Sequence, residues 1–213
     1  MPTQNIAPAG DRAYDDVKSR ILSGELAGGD LISEGEVADR IGISRTPVRE
    51  AFLRLQAEGL MKLYPKRGAM ITPIARSEAR DVIEARELLE THAVRHATAS
   101  PDRTARLVAA LRENVELQKD QAAAHDLAAY AVSDAAFHAT IIDAGDNALL
   151  TQFYSTLRDR QVRMVATSVP GEVTEDVIAA HVTLIEAIAA RDAARFETLL
   201  KEHLENVHEV LIR

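Results

Sequence analysis

The most regular apolar pattern in the chain lies within residues 41–55, where an inward stripe recurs with the spacing of an α-helix. The stripe consists of Val48, Ala51, Phe52 and Leu55. The outward positions near the start of this predicted helix are polar or basic: Ser44, Arg45, Thr46 and Arg49. Because hydroxyls suit phosphate contacts and Arg suits bidentate bonding to guanine, such a helix end can read bases in a DNA major groove. A solvated amphipathic helix is the alternative interpretation.

The flanking sequence favours the DNA-binding interpretation. Residues 33–36 have the Ser-x-x-Glu spacing of a capping box, and the short helix that follows should stop at Gly42. Two short helices joined by such a tight turn form a helix-turn-helix. Further on, apolar residues at 61–64 and 69–72 predict a small hairpin, which can hold the DNA backbone or enter the minor groove. The tip of this hairpin contains Lys66, Arg67 and Gly68.

Several of these motifs occur in an order that resembles the winged helix-turn-helix of the GntR family of bacterial transcription regulators. They are Ser33-Glu34, the run from Ser44 to Ala51, Glu58-Gly59-Leu60 and Lys66-Arg67-Gly68. The resemblance covers residues 12–74 and implies three helices and a two-stranded wing, after a flexible tail at residues 1–11. At Gly35 the chain departs from the family, which usually has Arg or Lys there, so the operator preference does not carry over. The DNA-binding residues that the resemblance implies are Ser44, Arg45, Thr46, Arg49, Lys66, Arg67 and Gly68.

Electric charge is distributed unevenly along the chain. The net charge of −8 lies wholly in residues 76–213, because residues 1–75 contain ten basic and ten acidic side chains. Within the first part, residues 45–67 contain six basic and two acidic side chains. The positive charge is therefore concentrated on the predicted recognition helix and wing, where it can contact phosphate.

Residues 77–213 show helical periodicity throughout and no strand pattern. Helices of the predicted length with short connections form an antiparallel bundle. The fold class is therefore mainly α, with an N-terminal winged helix-turn-helix and a C-terminal all-α bundle of six helices. The six predicted helices cover residues 77–99, 102–120, 125–144, 147–167, 174–190 and 192–211.

Polar side chains interrupt the inward stripes of this bundle. Asp134 and His138 are four residues apart and hence on one face of their helix, while His181 and His203 lie among apolar neighbours on two other helices. A single polar side chain on such a face is more commonly a core residue that bonds to a neighbour. Burial of all four polar side chains, however, costs free energy unless they share a partner or a cation. They form a candidate set of metal ligands. The other histidines lie on flanks, helix ends or polar faces and are not predicted ligands: His92, His96, His125 and His208.

Two arginines, Arg86 and Arg160, also fall on inward stripes of the bundle. One interpretation is internal ion pairing, for example between Arg86 and Glu90, which are four residues apart. The other is a guanidinium fork that binds the carboxylate of a small ligand.

The order and spacing of Asp134, His138, His181 and His203 resemble the FCD effector domain, which follows the winged helix in the large FadR-type subfamily of GntR regulators. This resemblance covers residues 77–213. It implies that the four residues hold a divalent metal, such as zinc, nickel or manganese. It also implies a small carboxylic-acid effector beside the metal, in reach of Arg86 or Arg160, and a homodimer on a palindromic operator of double-stranded DNA.

The sequence thus predicts a ligand-responsive transcription regulator, with repression as the expected action. Two alternatives stay open. In the first, the bundle would be a metalloenzyme fused to a DNA-binding module, with Glu90 as its only candidate general base. In the second, the polar core of the bundle would be purely structural. Because the chain has no Cys and no apolar run of the ~18 residues that a membrane span needs, we expect a soluble cytoplasmic protein without a membrane partner.

Overall fold

The computed structural model describes residues 7–65, 67–169 and 175–213. The chain forms two compact units, Met1–Ile74 and Ala75–Arg213. Among the described residues, none of the helices has the length and apolar character needed to cross a bilayer.

The N-terminal unit combines three helices with a small antiparallel sheet of strand order β1-β3-β2. The predicted winged helix-turn-helix is confirmed, and the wing hairpin gains a short third strand that its sequence pattern did not indicate. The first helix begins at Ala9, so residues 9–11 belong to it rather than to the predicted tail, and residues 1–6 of that tail lie outside the described residues. The elements are α1 (Ala9–Leu22), β1 (Leu31–Ile32), α2 (Glu34–Ile41), α3 (Arg45–Ala57), β2 (Met61–Tyr64) and β3 (Gly68–Ile71).

Local hydrogen bonds at the start of α2 agree with the sequence pattern. The Ser33 hydroxyl accepts a bond from the Glu36 backbone N–H at 3.2 Å, and the Glu36 carboxylate accepts one from the Ser33 N–H at 2.6 Å. These reciprocal bonds form the predicted capping box and satisfy backbone donors that the helix leaves unpaired. At α3, Ser44 occupies the N-cap position but its side chain makes no capping bond, which leaves the hydroxyl available for other contacts.

The apolar stripe of α3 forms the centre of the N-terminal core. Its four predicted members are fully buried, and α3 packs against α1, α2 and β2. Leucine- and phenylalanine-sized side chains in this position each stabilise the unit by about 1.5–3 kcal/mol through burial. The opposite face of α3 is therefore fixed toward solvent. The same buried core includes, from other elements, Val17, Ile21, Val37, Ala69 and Ile71.

The C-terminal unit is an all-α bundle, as predicted, and the described residues contain eight helices rather than six. The predicted helix 147–167 is divided by a turn at Thr156 and Leu157, and the last predicted helix ends in a separate short turn of helix. The start predicted at residue 174 lies outside the described residues. The helices are α4 (Arg76–Ala97), α5 (Pro101–Ala123), α6 (Leu127–Ala144), α7 (Ala148–Ser155), α8 (Arg158–Ser168), α9 (Glu175–Ala189), α10 (Ala193–Val207) and α11 (Glu209–Ile212).

Helix α6 lies at the centre of this bundle. It packs against α4, α5, α7 and α8, and it is apolar on nearly all sides, as expected of a helix that is surrounded by others. Asp134 and His138 are polar exceptions on this helix, and both are buried. Their side chains therefore project into the interior of the bundle, where polar groups need partners.

Candidate functional site

Four side chains that the sequence singled out converge in the interior of the bundle. Asp134 and His138 come from α6, His181 from α9 and His203 from α10. One potential ligand atom from each lies within 4.8 Å of the others, and all four residues are buried. A divalent cation with nitrogen and oxygen ligands is the group that such an arrangement suits.

Hydrogen bonds to the outer ring nitrogens orient two of the imidazoles. His138 Nδ1 donates to a Glu90 carboxylate oxygen at 2.6 Å, and His181 Nδ1 donates to the Gln118 amide oxygen at 2.7 Å. Donation from Nδ1 fixes the tautomer, so that Nε2 of each ring carries a lone pair. These two lone pairs are available to a cation.

The inner ring nitrogens face one another. His181 Nε2 lies 3.2 Å from His203 Nε2 and 3.4 Å from a carboxylate oxygen of Asp134. Within the described part of the chain, His138 Nε2 is buried and has no hydrogen-bond partner. A buried lone pair without a donor is costly in a protein interior, and a bound cation would satisfy it. The residues present therefore fit a metal ion.

Burial determines the protonation of the four groups. It lowers the pKa of His138, His181 and His203 well below 6.5, and neighbouring charges, Arg86 among them, lower the three values further. The imidazoles are thus neutral at physiological pH, as metal ligands must be. Burial also raises the pKa of Asp134 to about 6, against the lowering effect of Arg86.

A second buried network adjoins the four residues through Glu90. The Arg86 guanidinium donates from Nε to Glu90 at 3.0 Å, and the Tyr154 hydroxyl donates to the same carboxylate oxygen at 2.6 Å. The other oxygen of Glu90 holds His138. Arg86 therefore faces inward, and it pairs with Glu90 as the first of the two sequence interpretations expected. Its Nη2 is buried and has no partner among the described residues.

In the N-terminal unit, a groove runs between the helix-turn-helix and the wing. It is lined from α2 by Glu34 and Gly35, from α3 by Arg45 and Arg49, and from the wing by Gly68, with other residues of the same elements. Gly68 has a left-handed φ of 91°, and a Cβ there would collide with the backbone oxygen of Ile32. Only glycine fits this contact between β3 and β1, so Gly68 shapes the wing.

Several arginines of the N-terminal unit have a partner away from the groove. Arg40 pairs with Asp16 at 3.3 Å, Arg54 pairs with Asp11 at 2.7 Å, and Arg12 donates to the carbonyl oxygen of Ile41 at 3.0 Å. By contrast, the exposed Arg45 and Arg49 in the groove have no ion pair to any residue that the structure describes. The same holds for the exposed Arg67 at the tip of the wing.

Of the other predicted DNA-binding side chains, the structure describes two hydroxyls but not the lysine of the wing. Ser44 and Thr46 are exposed near the start of α3, beside Arg45. Lys66 lies outside the described residues. The exposed hydroxyls and unpaired guanidiniums at this helix end can donate hydrogen bonds to phosphate oxygens and to base edges.

Two sequence profiles of known families match the chain. The profile of bacterial regulatory proteins of the gntR family matches residues 9–71, and the profile of the FCD domain matches residues 81–206. The chain belongs to the GntR family. Its C-terminal unit is an FCD domain, and the resemblance inferred from the motifs is confirmed.

Relatives of this GntR protein are named as transcriptional repressors. The gluconate operon transcriptional repressor of Bacillus subtilis (strain 168) is 25% identical over 209 residues, which are 95% of this chain and 85% of that protein. The HTH-type transcriptional repressor RspR of Escherichia coli (strain K12) is 27% identical over 213 residues, 98% of this chain and 90% of the relative. This GntR protein is thus a DNA-binding transcriptional repressor and not an enzyme.

A solved structure has the same fold. It is a GntR transcriptional regulator from Rhodococcus sp. RHA1, which aligns with a TM-score of 0.75 at 18% identity and covers 95% of this chain and 97% of its own. At that identity the likeness concerns the fold alone.

The structure corrects one prediction within the FCD domain. Arg160 was predicted to face inward, but its side chain is 46% exposed and pairs with Glu78 at 3.1 Å. The reason is that the apolar positions at helical spacing before Arg160 do not face the interior. Leu149 and Phe153 on α7 are 77% and 54% exposed, so apolar character did not mark the inward face here. Arg160 is therefore not an inner carboxylate clamp.

Among the buried polar residues of the FCD domain that sequence reasoning missed, His208 and Gln118 are informative. His208, assigned to a polar face, is buried and its Nδ1 lies 3.1 Å from the Ser168 hydroxyl. It stands where α10 ends, so the periodicity of that helix no longer predicts its direction. Gln118, which orients His181, was detectable, because it follows Leu111 and Val115 on the buried stripe of α5.

Proposed function

We propose that this GntR protein binds a palindromic operator as a homodimer and is released by a small carboxylate that binds beside a divalent metal in the FCD domain. The observation that carries this proposal is the convergence of four buried ligand atoms within 4.8 Å, next to a buried arginine with an unpaired nitrogen. Neither feature is needed for a purely structural core, which apolar side chains would fill at lower cost.

Operator DNA is read by the exposed end of α3 and held by the wing. Arg45 and Arg49, which lack ion pairs among the described residues, contact base edges or clamp phosphates. Ser44 and Thr46 donate to the backbone, and the Lys66-Arg67-Gly68 tip contacts an adjoining stretch of duplex. The unpaired cations support this assignment, since cations neutralised within the protein contribute less to phosphate binding.

The metal is held by Asp134, His138, His181 and His203. Three imidazoles with one carboxylate suit zinc or nickel, and manganese remains compatible through the oxygen ligand. When bound, the ion supplies a fixed positive charge that attracts an anionic ligand. The protein contributes the orientation of its ligands, through Glu90 on His138 and Gln118 on His181.

The effector is a small carboxylic acid, and Arg86 is the residue that receives it together with the metal. Its Nε is engaged by Glu90 while its Nη2 is unpaired among the described residues, so one donor of the guanidinium remains for a ligand. The relative named for the gluconate operon supports an acid, since gluconate carries a carboxylate. Tyr130 adds a buried hydroxyl four residues before Asp134, also without a partner in the described structure.

The homodimer provides two winged units for the two halves of a palindrome. Helices α4 and α7 pack against each other and carry large exposed apolar side chains. These side chains support an association surface in the FCD domain. They are Leu88 at 66%, Leu149 at 77% and Phe153 at 54% exposure. Burial of such residues against a second copy would remove apolar area from water.

Metal analysis and DNA-binding assays on the full-length protein test the proposal. Footprinting of genomic fragments supplies the operator, and fluorescence anisotropy then measures operator affinity with and without gluconate, citrate and other small carboxylates. We expect bound divalent metal in stoichiometric amount and an operator affinity that falls when an effective acid is added. Protein without metal and with unchanged melting in chelator would favour a structural polar core instead.

A further inference from the structure

A close contact joins the two helices of the helix-turn-helix at Gly35 and Arg45. Gly35 lies in the first turn of α2, and Arg45 is the first residue of α3. A Cβ added to Gly35 would stand 3.2 Å from Nη2 of Arg45, 3.5 Å from Cζ and 3.6 Å from Nε. Because these three atoms belong to one planar group, the guanidinium lies broadside against the glycine.

The absence of a side chain at position 35 is what makes room for the guanidinium. Carbon and nitrogen atoms in ordinary contact stay about 3.5–4.0 Å apart, so even a methyl group at position 35 would push against Nη2. Glycine is also less favourable than alanine inside a helix. Helix stability therefore gives no reason for glycine at this position, whereas the contact with Arg45 does.

The guanidinium can move when it is pushed. Arg45 is exposed and has no ion pair to the residues that the structure describes. A side chain at position 35 would consequently displace the end of Arg45 rather than the backbone of α2 or α3. Both residues line the groove that also contains Arg49 and Gly68, so the displacement occurs on the surface that faces DNA in the proposed function.

We propose that Gly35 is a specificity-determining residue, which sets the position of the Arg45 guanidinium at the operator. Bidentate bonding to a base edge requires both donors of the fork at hydrogen-bond distance, and a shift of a few tenths of an ångström alters which edge they reach. The inference rests on the proposed role of Arg45 in reading bases. In this role Gly35 does not contact DNA itself, and its effect on base preference passes through Arg45.

A selection experiment with four proteins tests this inference. The full-length wild type, Gly35→Ala, Arg45→Ala and the double variant each select from a random library of double-stranded DNA, and competition binding then gives the base preference at each operator position. We expect Arg45→Ala to lower the preference at one base pair per half-site by about fivefold or more, the lower end for a bidentate contact. Gly35→Ala should change the preference at that same base pair and have no further effect in the Arg45→Ala background.

Gly10→Ala is the matched control. Gly10 also lies in the first turn of a helix of this unit, but a Cβ there would meet its nearest neighbour, an oxygen of Glu50, at an ordinary 3.6 Å. This variant should keep the wild-type base preference at every position. Thermal melting of all variants identifies any loss of folding, and Gly35→Ser provides a second small side chain at the same position.

The selection results distinguish a failure of Arg45 to read bases from a failure of Gly35 to position Arg45. If Arg45→Ala keeps every base preference, Arg45 does not read bases and that part of the proposed function fails. If Arg45→Ala loses a preference while Gly35→Ala and Gly35→Ser keep it, the role of Gly35 is overturned and the proposed function stands. An equal shift on Gly35→Ala with and without Arg45 would also overturn it, because the effect would not pass through Arg45.

Discussion

Glu90 Oε2 accepts a 2.6 Å hydrogen bond from His138 Nδ1 in the buried interior of the FCD domain. The same carboxylate pairs with Arg86 and accepts the Tyr154 hydroxyl, so it joins three helices, α4, α6 and α7. One side chain thus orients a candidate metal ligand and holds the candidate effector arginine. Changes at Glu90 should therefore affect both metal binding and folding.

Replacement of Glu90 by Gln tests this double role. Gln keeps the size but removes the charge, which leaves Arg86 buried without its ion pair, and we expect a loss of about 3–5 kcal/mol in the free energy of unfolding. We also expect metal affinity to fall by roughly 10–100-fold, because the single amide oxygen cannot accept both from His138 on one side and from Arg86 and Tyr154 on the other. Urea denaturation and metal titration measure the two effects. Glu197→Gln, which breaks an exposed pair with Arg95, should cost no more than about 1 kcal/mol and keep metal binding.

Removal of a candidate ligand should have a different signature. His181→Ala and His203→Ala are expected to lose bound metal and to melt at a lower temperature than the metal-loaded wild type, because a ligand that binds only the folded state stabilises it. Chelator should lower the melting temperature of the wild type and leave both variants unchanged. Elemental analysis and calorimetry check this, with the exposed His92→Ala as control. Full metal occupancy in both variants would show that the ligands are assigned wrongly.

On the DNA side, Arg49→Ala should weaken specific operator binding by roughly 1–3 kcal/mol, as expected for a lost base contact or phosphate clamp. Arg54 on the same helix provides the control, because it pairs with Asp11 and stacks over Tyr14 at 4.0 Å. Arg54→Ala should therefore leave base preference unchanged. Anisotropy titrations with operator and scrambled DNA measure both. Equal operator affinity of the wild type and Arg49→Ala would remove Arg49 from the DNA-binding assignment.

Wing residues are expected to act without regard to sequence. Arg67→Ala should weaken binding to operator and scrambled DNA by similar factors and reduce the slope of log affinity against log salt by about one, since one phosphate contact is lost. Titrations at several salt concentrations check this expectation. A loss confined to the operator would instead mean that the wing reads bases.

The sequence was most informative where polar side chains interrupt the apolar pattern of one continuous helix. Asp134 and His138 could be placed on one inward face, because α6 runs straight through both positions and is apolar around them. Arg160 was placed wrongly, since the apolar Leu149 and Phe153 at helical spacing before it are themselves exposed. In addition, no Gly or Pro marks the turn at Thr156 and Leu157 that divides the predicted helix. The short strand β1 was also missed, because two residues are too few to show alternation and their pairing with β3 is a tertiary contact.

The last prediction concerns how an acid in the FCD domain changes DNA affinity. A ligand does so only if it binds the DNA-competent arrangement of the dimer more weakly than another arrangement. We expect an effective acid to lower operator affinity by a coupling of about 1–3 kcal/mol, and operator DNA to weaken acid binding by the same factor. Arg86 lies on α4, the first helix of the FCD domain, so movement of α4 on engaging the acid is a direct route for this coupling.

Arg86→Lys is the sharpest variant for this test, because Lys keeps a cation for Glu90 while it removes the planar fork and its second donor. Truncation to Ala would instead leave Glu90 unpaired and confuse a sensing defect with a folding defect. The Lys variant should retain metal and operator affinity and need a much higher acid concentration for release. Anisotropy of labelled operator, titrated with the acid that releases the wild type, measures this. Release of both proteins at the same acid concentration would mean that Arg86 takes no part in sensing, and that the metal alone receives the carboxylate.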